Sequence, residues 1–477
     1  MPTYFKLFSG TVTVTAIVWI RRSMRIHDNT ALVEAAEEHE RVIPFYVVDE
    51  DYFDSGTLGY PRVRFWRESL LELKERLQEQ GNDLVVREGS PVEELKKMVD
   101  ETGADAVYFN RDYSPYARER DEAVRELEVE VKDFKDIVMF EKQEITTNSG
   151  DPYKVYSYYR DKWFDREKPR PEEPEDFSTP EIKSDEVPEL EDFGFTQPED
   201  MEWIWKPGRE GGRERLEAFR EKIGEYDEDR DYPAKEATSK LSPHLKFGTV
   251  SIREAFWAAE REKARGAEGA ETWQEELAWR DFYFQMLWNF PYTVEKPFLE
   301  QYGSIEWRED NEQWQRFIEG RTGYPFVDAG MRQLKREGWM HNRLRMVVTS
   351  FCAKDLRLDW QKLHRYFKKM FVDAELSAMV GGIQWAYSIG TDAQPYFRVF
   401  NPTSQGERYD PEGEYIREYV PELSEVPDEY IHEPAEMPED VQEENGCVIG
   451  EDYPEPMVDH SEEREKALQM FENAKSE

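Results

Sequence analysis

Short apolar runs alternate with amphipathic stretches through the first third of the chain. Ala16-Ile17-Val18-Trp19-Ile20 reads as a buried strand, and Asp28-Asn29 offers a cap for a helix over Thr30 to Glu40. Val42 to Val48 is the next apolar run. Phe65 to Gln80 carries helical periodicity and is closed by Gly81, and Asp83 to Val86 reads as strand. Pro91 to Thr102 is a helix set between Ser90-Pro91 and Gly103, and Ala106 to Asn110 is strand again. This alternation predicts an α/β domain over residues 16–145, a doubly wound parallel sheet of Rossmann-like type. Small ligands bind such sheets at the carboxyl ends of the strands. No Gly-x-Gly-x-x-Gly follows the first strand and no Walker loop is present, so an ordinary dinucleotide or ATP site is not supported.

The pattern then changes. Residues 146–207 read as an interdomain linker, and Asp165 to Asp200 is rich in Pro, Glu and Asp with little periodicity. From Gly208 strand signals vanish and helical periods run to about Leu423, which predicts an all-α domain over 208–423. Residues 424–477 read as an acidic tail of Pro-punctuated loop with a last helix. No Pro or Gly interrupts Trp339 to Trp360, so a helix is expected there. It places Asn342, Arg343, Arg345 and Met346 within about one turn, with Asn342 and Met346 on one face.

Composition sharpens this picture in three ways. A chain of 477 residues is too long for one ordinary core, which agrees with two domains. No apolar run is long enough to span a bilayer, and Arg21-Arg22 follow the first apolar stretch instead of leading it, the wrong order for a secretory signal. The two cysteines, Cys352 and Cys447, stand far apart without zinc spacing, so no disulfide framework or metal site is expected and a reducing cytoplasm fits. The net charge of -41 argues for a disordered acidic chain, a surface for basic partners, or a folded protein adapted to molar salt. An aromatic content of 14% argues against the first. The spread of acids along the whole chain favours the halophilic reading, and such a surface repels nucleic acid in dilute buffer.

Three groups of residues could carry chemistry. Tyr226-x-x-x-Arg230 followed by Thr238-Ser239-Lys240-Leu241-Ser242-Pro243 brings hydroxyls, an ammonium and a Pro-started helix together. That suits a diphosphate cradle, or a plain cap before the helix around Leu245. Helical spacing puts Glu276, Trp279, Arg280 and Tyr283 on one face. The face is either an interhelical salt bridge packed on aromatics or a wall of a pocket for a flat heteroaromatic guest. Asn342, Arg343, Arg345 and Met346 form the third group; taken alone they read as solvated polar residues and a core methionine.

The run Gly338-Trp339-Met340-His341-Asn342-Arg343-Leu344-Arg345-Met346 resembles the signature of the photolyase/cryptochrome flavoproteins, and within them the class I cyclobutane pyrimidine dimer photolyases. Arg21-Arg22-Ser23-Met24-Arg25-Ile26-His27-Asp28-Asn29 is similar to the opening of the family's antenna domain. Asn110-Arg111-Asp112-Tyr113-Ser114-Pro115-Tyr116 looks like its loop near the antenna chromophore. The likeness covers nearly everything from residue 16; Met1 to Thr15 lies outside it and reads as an extension or a start assigned too early.

The resemblance implies FAD in the helical domain. It assigns the FAD phosphates to Thr238, Ser239, Lys240, Leu241 and Ser242 with Tyr226 nearby, and the flavin surroundings to Arg280, Arg345, Asp373, Ala374, Glu375 and Met379. Asn342 is expected between flavin and lesion. Glu276 hydrogen-bonds the flipped-out dimer and Trp279 stacks on it, beside Tyr283, Arg343, Met346 and Trp385, with Arg230, Arg398 and Gln405 at the wall and the phosphates. Trp360 and Trp307 match the middle and outer members of an electron-transfer chain. The implied reaction is light-driven repair of the cyclobutane dimer in UV-damaged DNA. A dimer stacks and pairs poorly, so flipping it out costs less than flipping normal bases. A second chromophore is expected, with 8-hydroxydeazaflavin first and a folate or an empty site as alternatives. The family default is a monomer, with no membrane association.

The chain also departs from the family pattern. Glu375 stands where Asp is usual. Asn-Asn-Gly-Gly-Trp-Gln-Trp reads here Met379-Val380-Gly381-Gly382-Ile383-Gln384-Trp385. Met379 cannot donate a hydrogen bond to flavin N5, so less neutral semiquinone is expected. Ile383 removes the inner member of the tryptophan chain, so photoreduction is expected to be slow or to pass through Trp385, Tyr387 or another aromatic. These changes motivate an alternative, a cryptochrome-like blue-light photoreceptor; Glu276, Trp279, Asn342 and Met346 count against it. A flavoprotein that binds nucleic acid without photochemistry is a third reading. A 6-4 photolyase fits less well, since His341-Asn342 stands where that branch shows paired histidines.

Overall fold

The computed structural model describes residues 14–476, so most of Met1 to Thr15 lies outside the described residues. Five parallel strands, β1 (Thr15–Ile20), β2 (Arg41–Val48), β3 (Val85–Glu88), β4 (Ala106–Asn110) and β5 (Glu130–Phe134), form one sheet in the order β3-β2-β1-β4-β5. Helices α1 (Thr30–Glu38), α2 (Tyr60–Glu79), α3 (Pro91–Thr102) and α4 (Pro115–Arg125) connect them. Alternate strand residues point to opposite faces. Ile17, Trp19, Phe45, Val107 and Phe109 pack with Leu95 and Met98 of α3. Val18, Ile20, Val42 and Val48 pack with Phe65 and Leu70 of α2, and that cluster continues into Phe247, Trp339 and Val372 of the second domain.

The expected elements of this domain are present, with shifted ends. α1 stops at Glu38 because His39 is extended, and β3 lies slightly later than expected. Asn29 caps α1 by accepting from the Leu32 N–H. β5 and α4 were not anticipated. β5 is an edge strand whose Glu130, Lys132 and Asp133 break the apolar signal. The linker is partly ordered into a helix, α5 (Tyr156–Asp165), which packs on the second domain.

The second domain is all-helical. Its site-bearing helices are α6 (Ser242–Phe247), α7 (Gly269–Asn289), α8 (Pro325–Glu337), α9 (Asn342–Ser350), α10 (Trp360–Met370), α11 (Leu376–Ala386), α12 (Pro402–Tyr409) and α13 (His460–Ser476). The continuous helix expected from Trp339 to Trp360 is broken. Gly338, at φ 65°, ends α8, and His341 caps α9, so the helix begins at Asn342. A π-turn follows at Phe351–Asp355, Arg357 adopts φ 53°, and Asp359 caps α10. The break is anchored by the buried Lys354, which donates to Ser388 Oγ at 3.0 Å and lies 3.6 Å from the centre of the Phe471 ring. Ile431, Tyr453 and Phe471 join the same apolar cluster as Met340 and Leu363, so residues after 423 help to build the helical core.

A buried ion cluster joins the domains. Asp136 accepts from Arg25 and Arg253, each at 2.7 Å, and Arg253 also pairs with Asp28 at 2.9 Å. Gly248 lets the backbones meet here: a Cβ would lie 2.6 Å from the Ser23 backbone.

Candidate functional site

Three contacts close α7, α9 and α11 into a triangle. Between α7 and α9 lies the dipeptide Arg230-Asp231. Arg230 pairs with Glu276 at 2.8 Å on one side, and Asp231 pairs with Arg343 at 2.6 Å on the other. From α9, Arg345 pairs with Asp373, just before α11, at 2.8 Å. α11 touches α7 at Gly381, where a Cβ would fall 2.2 Å from the Tyr283 ring. Only glycine permits that approach.

The face of α7 spreads its side chains in different directions. Trp279 stacks on Tyr156 of α5, with ring centres 3.5 Å apart and planes at 12°, and leans on Tyr283 at 5.5 Å. Arg280 turns to the domain seam, where it donates to the carbonyls of Ile137 and Leu245 and lies over Phe284. Burial pushes the Glu276 carboxyl above its ordinary range, although Arg230 opposes the shift. Tyr226 is buried beside this pair.

On α9, Asn342 is exposed and Arg343 lies over Tyr409 at 4.0 Å. Arg345 also donates to the Met340 carbonyl at 2.8 Å and lies over Phe371 at 4.1 Å. Met346 is half-buried. His341 holds the start of this helix: its Nδ1 accepts from the Arg343 N–H at 3.1 Å. Ser242 accepts from Trp339 Nε1 at 3.3 Å, and Lys240, in the left-handed region at φ 48°, lies over the same indole. Ser239 Oγ accepts from the Leu241 N–H, and Thr238 is half-buried on the same loop.

Glu375 reaches out of the helical domain to pair with Arg22 at the end of β1, with Lys246 at 3.9 Å. Burial alone would raise its carboxyl, but Arg22, Lys246 and Arg280 hold it below the ordinary range. Ala374 is buried, and Met379 is half-buried on α11. Trp385 is half-buried two residues after the buried Ile383. Its neighbour Gln384 is a structural clasp: it donates to the Thr293 and Lys296 carbonyls and accepts from the Phe298 N–H. Arg398 is exposed, and Gln405 Oε1, on α12, is buried without a partner. Trp307 makes an edge contact with Tyr387 at 5.2 Å, one turn beyond Ile383, and Trp360 stacks with His364 at 6.4 Å.

Two atoms bear on FAD. Asp373 Oδ1 and Ser377 Oγ are buried without a partner at the start of α11, beside the Arg345–Asp373 pair. Buried polar atoms left open in this way call for a ligand or water. The residues present therefore fit a polar heteroaromatic cofactor. The Arg21 side chain fills the cleft at the carboxyl ends of β1 and β4. Arg21 lies over Trp19 at 4.4 Å and over Phe109 at 5.0 Å and pairs with Asp121. The remaining space, about 10 Å³, is the room of one water. The sequence places Lys246 among the basic residues expected at the pocket mouth; it does not reveal Arg22, Asp231 and Tyr156 as site residues, and only the doubled Arg21-Arg22 and the tyrosines at 156, 158 and 159 hint at two of them.

A parallel-sheet domain docked on a helical one, with α7, α9 and α11 tied together by ion pairs and a glycine contact, defines a flavoprotein of photolyase architecture. Residues 16–176 match the DNA photolyase family and residues 273–473 the FAD binding domain of DNA photolyase. The chain belongs to the photolyase/cryptochrome family. It is 42% identical to a Halobacterium salinarum protein named deoxyribodipyrimidine photo-lyase, over 97% of this chain and 99% of that one. A class III photolyase from Agrobacterium tumefaciens superposes with a TM-score of 0.92 at 35% identity, covering 99% of this chain and 100% of that one. A Synechocystis cryptochrome superposes with a TM-score of 0.88 at 26% identity, covering 96% and 99%. These likenesses fix the family; they do not single out class I within it. Among the described residues no helix is long and apolar enough to cross a membrane.

Proposed function

We propose that this chain is a light-driven deoxyribodipyrimidine photo-lyase that opens cyclobutane pyrimidine dimers in DNA, as a monomer in the cytoplasm. The observation that supports this reading is the closed triangle of α7, α9 and α11; on it Glu276, Trp279 and Tyr283 would meet the dimer together with Arg343 and Met346. Tyr226, Thr238, Ser239, Lys240, Leu241 and Ser242 would hold the FAD phosphates, and Arg280, Arg345, Asp373, Ala374, Glu375 and Met379 would surround its ring system. Reduced FAD, when bound and excited by near-UV or blue light, supplies the one electron that lets the dimer's two carbon–carbon bonds open.

The chain's own residues bind and orient. Trp279 offers the face not covered by Tyr156 as a stacking platform for the extruded dimer. Glu276, held by Arg230, faces the bases, and Asn342 stands between the two sites. Asp231 partly neutralises Arg343 at the pocket mouth, so affinity rests on the stacked dimer more than on phosphates. Phosphate contacts weaken steeply with salt, whereas stacking does not, which suits a saline interior. A second chromophore, 8-hydroxydeazaflavin or a folate, would need Arg21 to leave its cleft.

The test is dimer loss from irradiated DNA, measured at high salt with flavin-reduced protein under blue light. Loss above the dark control is expected; equality with the dark control rejects the reading. Met379 and Ile383 favour a second reading, the cryptochrome-like photoreceptor. It requires a light-induced change in the protein with dimers left intact in the same assay.

A further inference from the structure

The linker helix α5 opens against the α7 wall of the site. Its first residue, Tyr156, is buried and lies flat against Trp279, with ring centres 3.5 Å apart and planes at 12°. Tyr156 is fixed from three sides. Its hydroxyl donates to the Glu275 carbonyl at 2.8 Å, its N–H donates to Asp392 Oδ2 at 3.0 Å, and the edge of Phe282 meets its ring at 5.8 Å. The rest of α5 is also pinned to α7. Trp163 Nε1 donates to Asp281 at 2.9 Å, and Arg160 pairs with Glu275 at 3.3 Å. Asp392 is itself held at φ 45°, and neighbouring Thr391 donates to the Lys154 carbonyl at 2.9 Å. The loop that leads to Arg398 is thus tied to the start of α5.

An indole in a pocket wall can tilt about its side-chain bonds, and a tilted ring is a poor platform for a flat guest. A second ring fixed in parallel behind it removes that freedom before the guest arrives, which lowers the ordering cost of binding. We propose that Tyr156 is a positioning residue for lesion recognition: it sets the plane of Trp279, and it acts through Trp279 alone. The inference rests on the reading of Trp279 as the stacking platform.

The experiment measures binding of a dimer-containing duplex and of the same duplex undamaged, by fluorescence anisotropy, with the flavin-loaded protein. Tyr156→Leu should weaken dimer binding by about ten-fold, the scale of one lost aromatic stack, and leave undamaged binding within about two-fold. Tyr156→Phe, which keeps the ring and loses only the hydroxyl, should restore most of the preference. In a Trp279→Ala background Tyr156→Leu should change nothing further. Where Tyr156→Leu sheds its flavin, Tyr156→His replaces it in the same cycle. Unchanged dimer binding by the Leu variant overturns the inference. So does an equal loss on both duplexes, or an undiminished loss when Trp279 is absent. A wild-type protein without preference for the dimer overturns the underlying reading of the site instead, so the two failures are told apart.

Discussion

Arg22 and Glu375 form an ion pair across the domain boundary, although they stand far apart in the chain. Arg22 follows the first strand of the sheet by two residues; Glu375 stands at the N-terminus of α11. The pair ties the edge of the sheet domain to the residues expected around the flavin ring, and Lys246 and Arg280 crowd the same carboxylate.

Replacing Glu375 with Gln leaves Asp112, 3.4 Å from Arg22, as the acid in ion pairs with this group, against the two cations Arg22 and Lys246 in a nearly closed space. Breaking one partner of a buried pair costs about 3 kcal/mol. Glu375→Gln should therefore lower the unfolding free energy in urea by about that amount, and flavin should leave at lower denaturant than in the wild type. Flavin fluorescence followed in parallel with circular dichroism measures both.

Acid should act through buried imidazoles, His341 and His244 foremost. Burial pushes His341 and His244 each down to about 3 from 6.5. Between those values the unfolded chain binds more protons, so stability is full above pH 6.5 and is lost as pH falls toward 3. The loss is up to about 1.4 kcal/mol per pH unit for each ring. Because His341 Nδ1 accepts from the Arg343 N–H, its protonation also removes the cap of α9. Burial raises Asp281, Asp355 and Asp410 to about 6, and these acids act in the opposite sense in wild type and variant alike. The readout is therefore the difference, and the urea midpoint of His341→Gln should fall less than that of the wild type as pH drops from 7.

The aromatic gap at Ile383 should limit light-driven reduction. Trp307 reaches Tyr387, but the Tyr387 hydroxyl donates to the Leu358 carbonyl at 3.1 Å and lies 3.2 Å from Cys352 Sγ, and neither is a good base for the proton an oxidised tyrosine must shed. Ile383→Trp should speed flavin photoreduction by about ten-fold, equivalent to about 1.4 kcal/mol of barrier. The readout is bleaching of the flavin's visible absorbance under blue light with an external reductant. Protein reduced beforehand should repair at the wild-type yield.

Local signals carried much of the fold. Pro91 and Gly103 bracket α3 at its ends, and the apolar run of β4 is uninterrupted. Edge strand β5 was hidden because its residues face water as much as core. The stop between α9 and α10 was invisible for another reason. Arg357 takes a left-handed backbone without being Gly or Asn, held by a core that only the folded chain assembles. In the site, the residue types on α7 and α9 were readable from spacing, but their partners were not. Asp231, Arg22 and Tyr156 come from segments that read as loop or linker, and each meets its partner only through tertiary packing.

The cluster of Arg25, Asp28, Asp136 and Arg253 is shut away from solvent, unlike the acids that give the protein its net charge. Dissolved ions shield charges they can approach, and these they cannot. The outer skin of the protein therefore answers to salinity while the hinge line between its two halves does not. Diluting the medium would loosen the periphery first and leave the halves clasped.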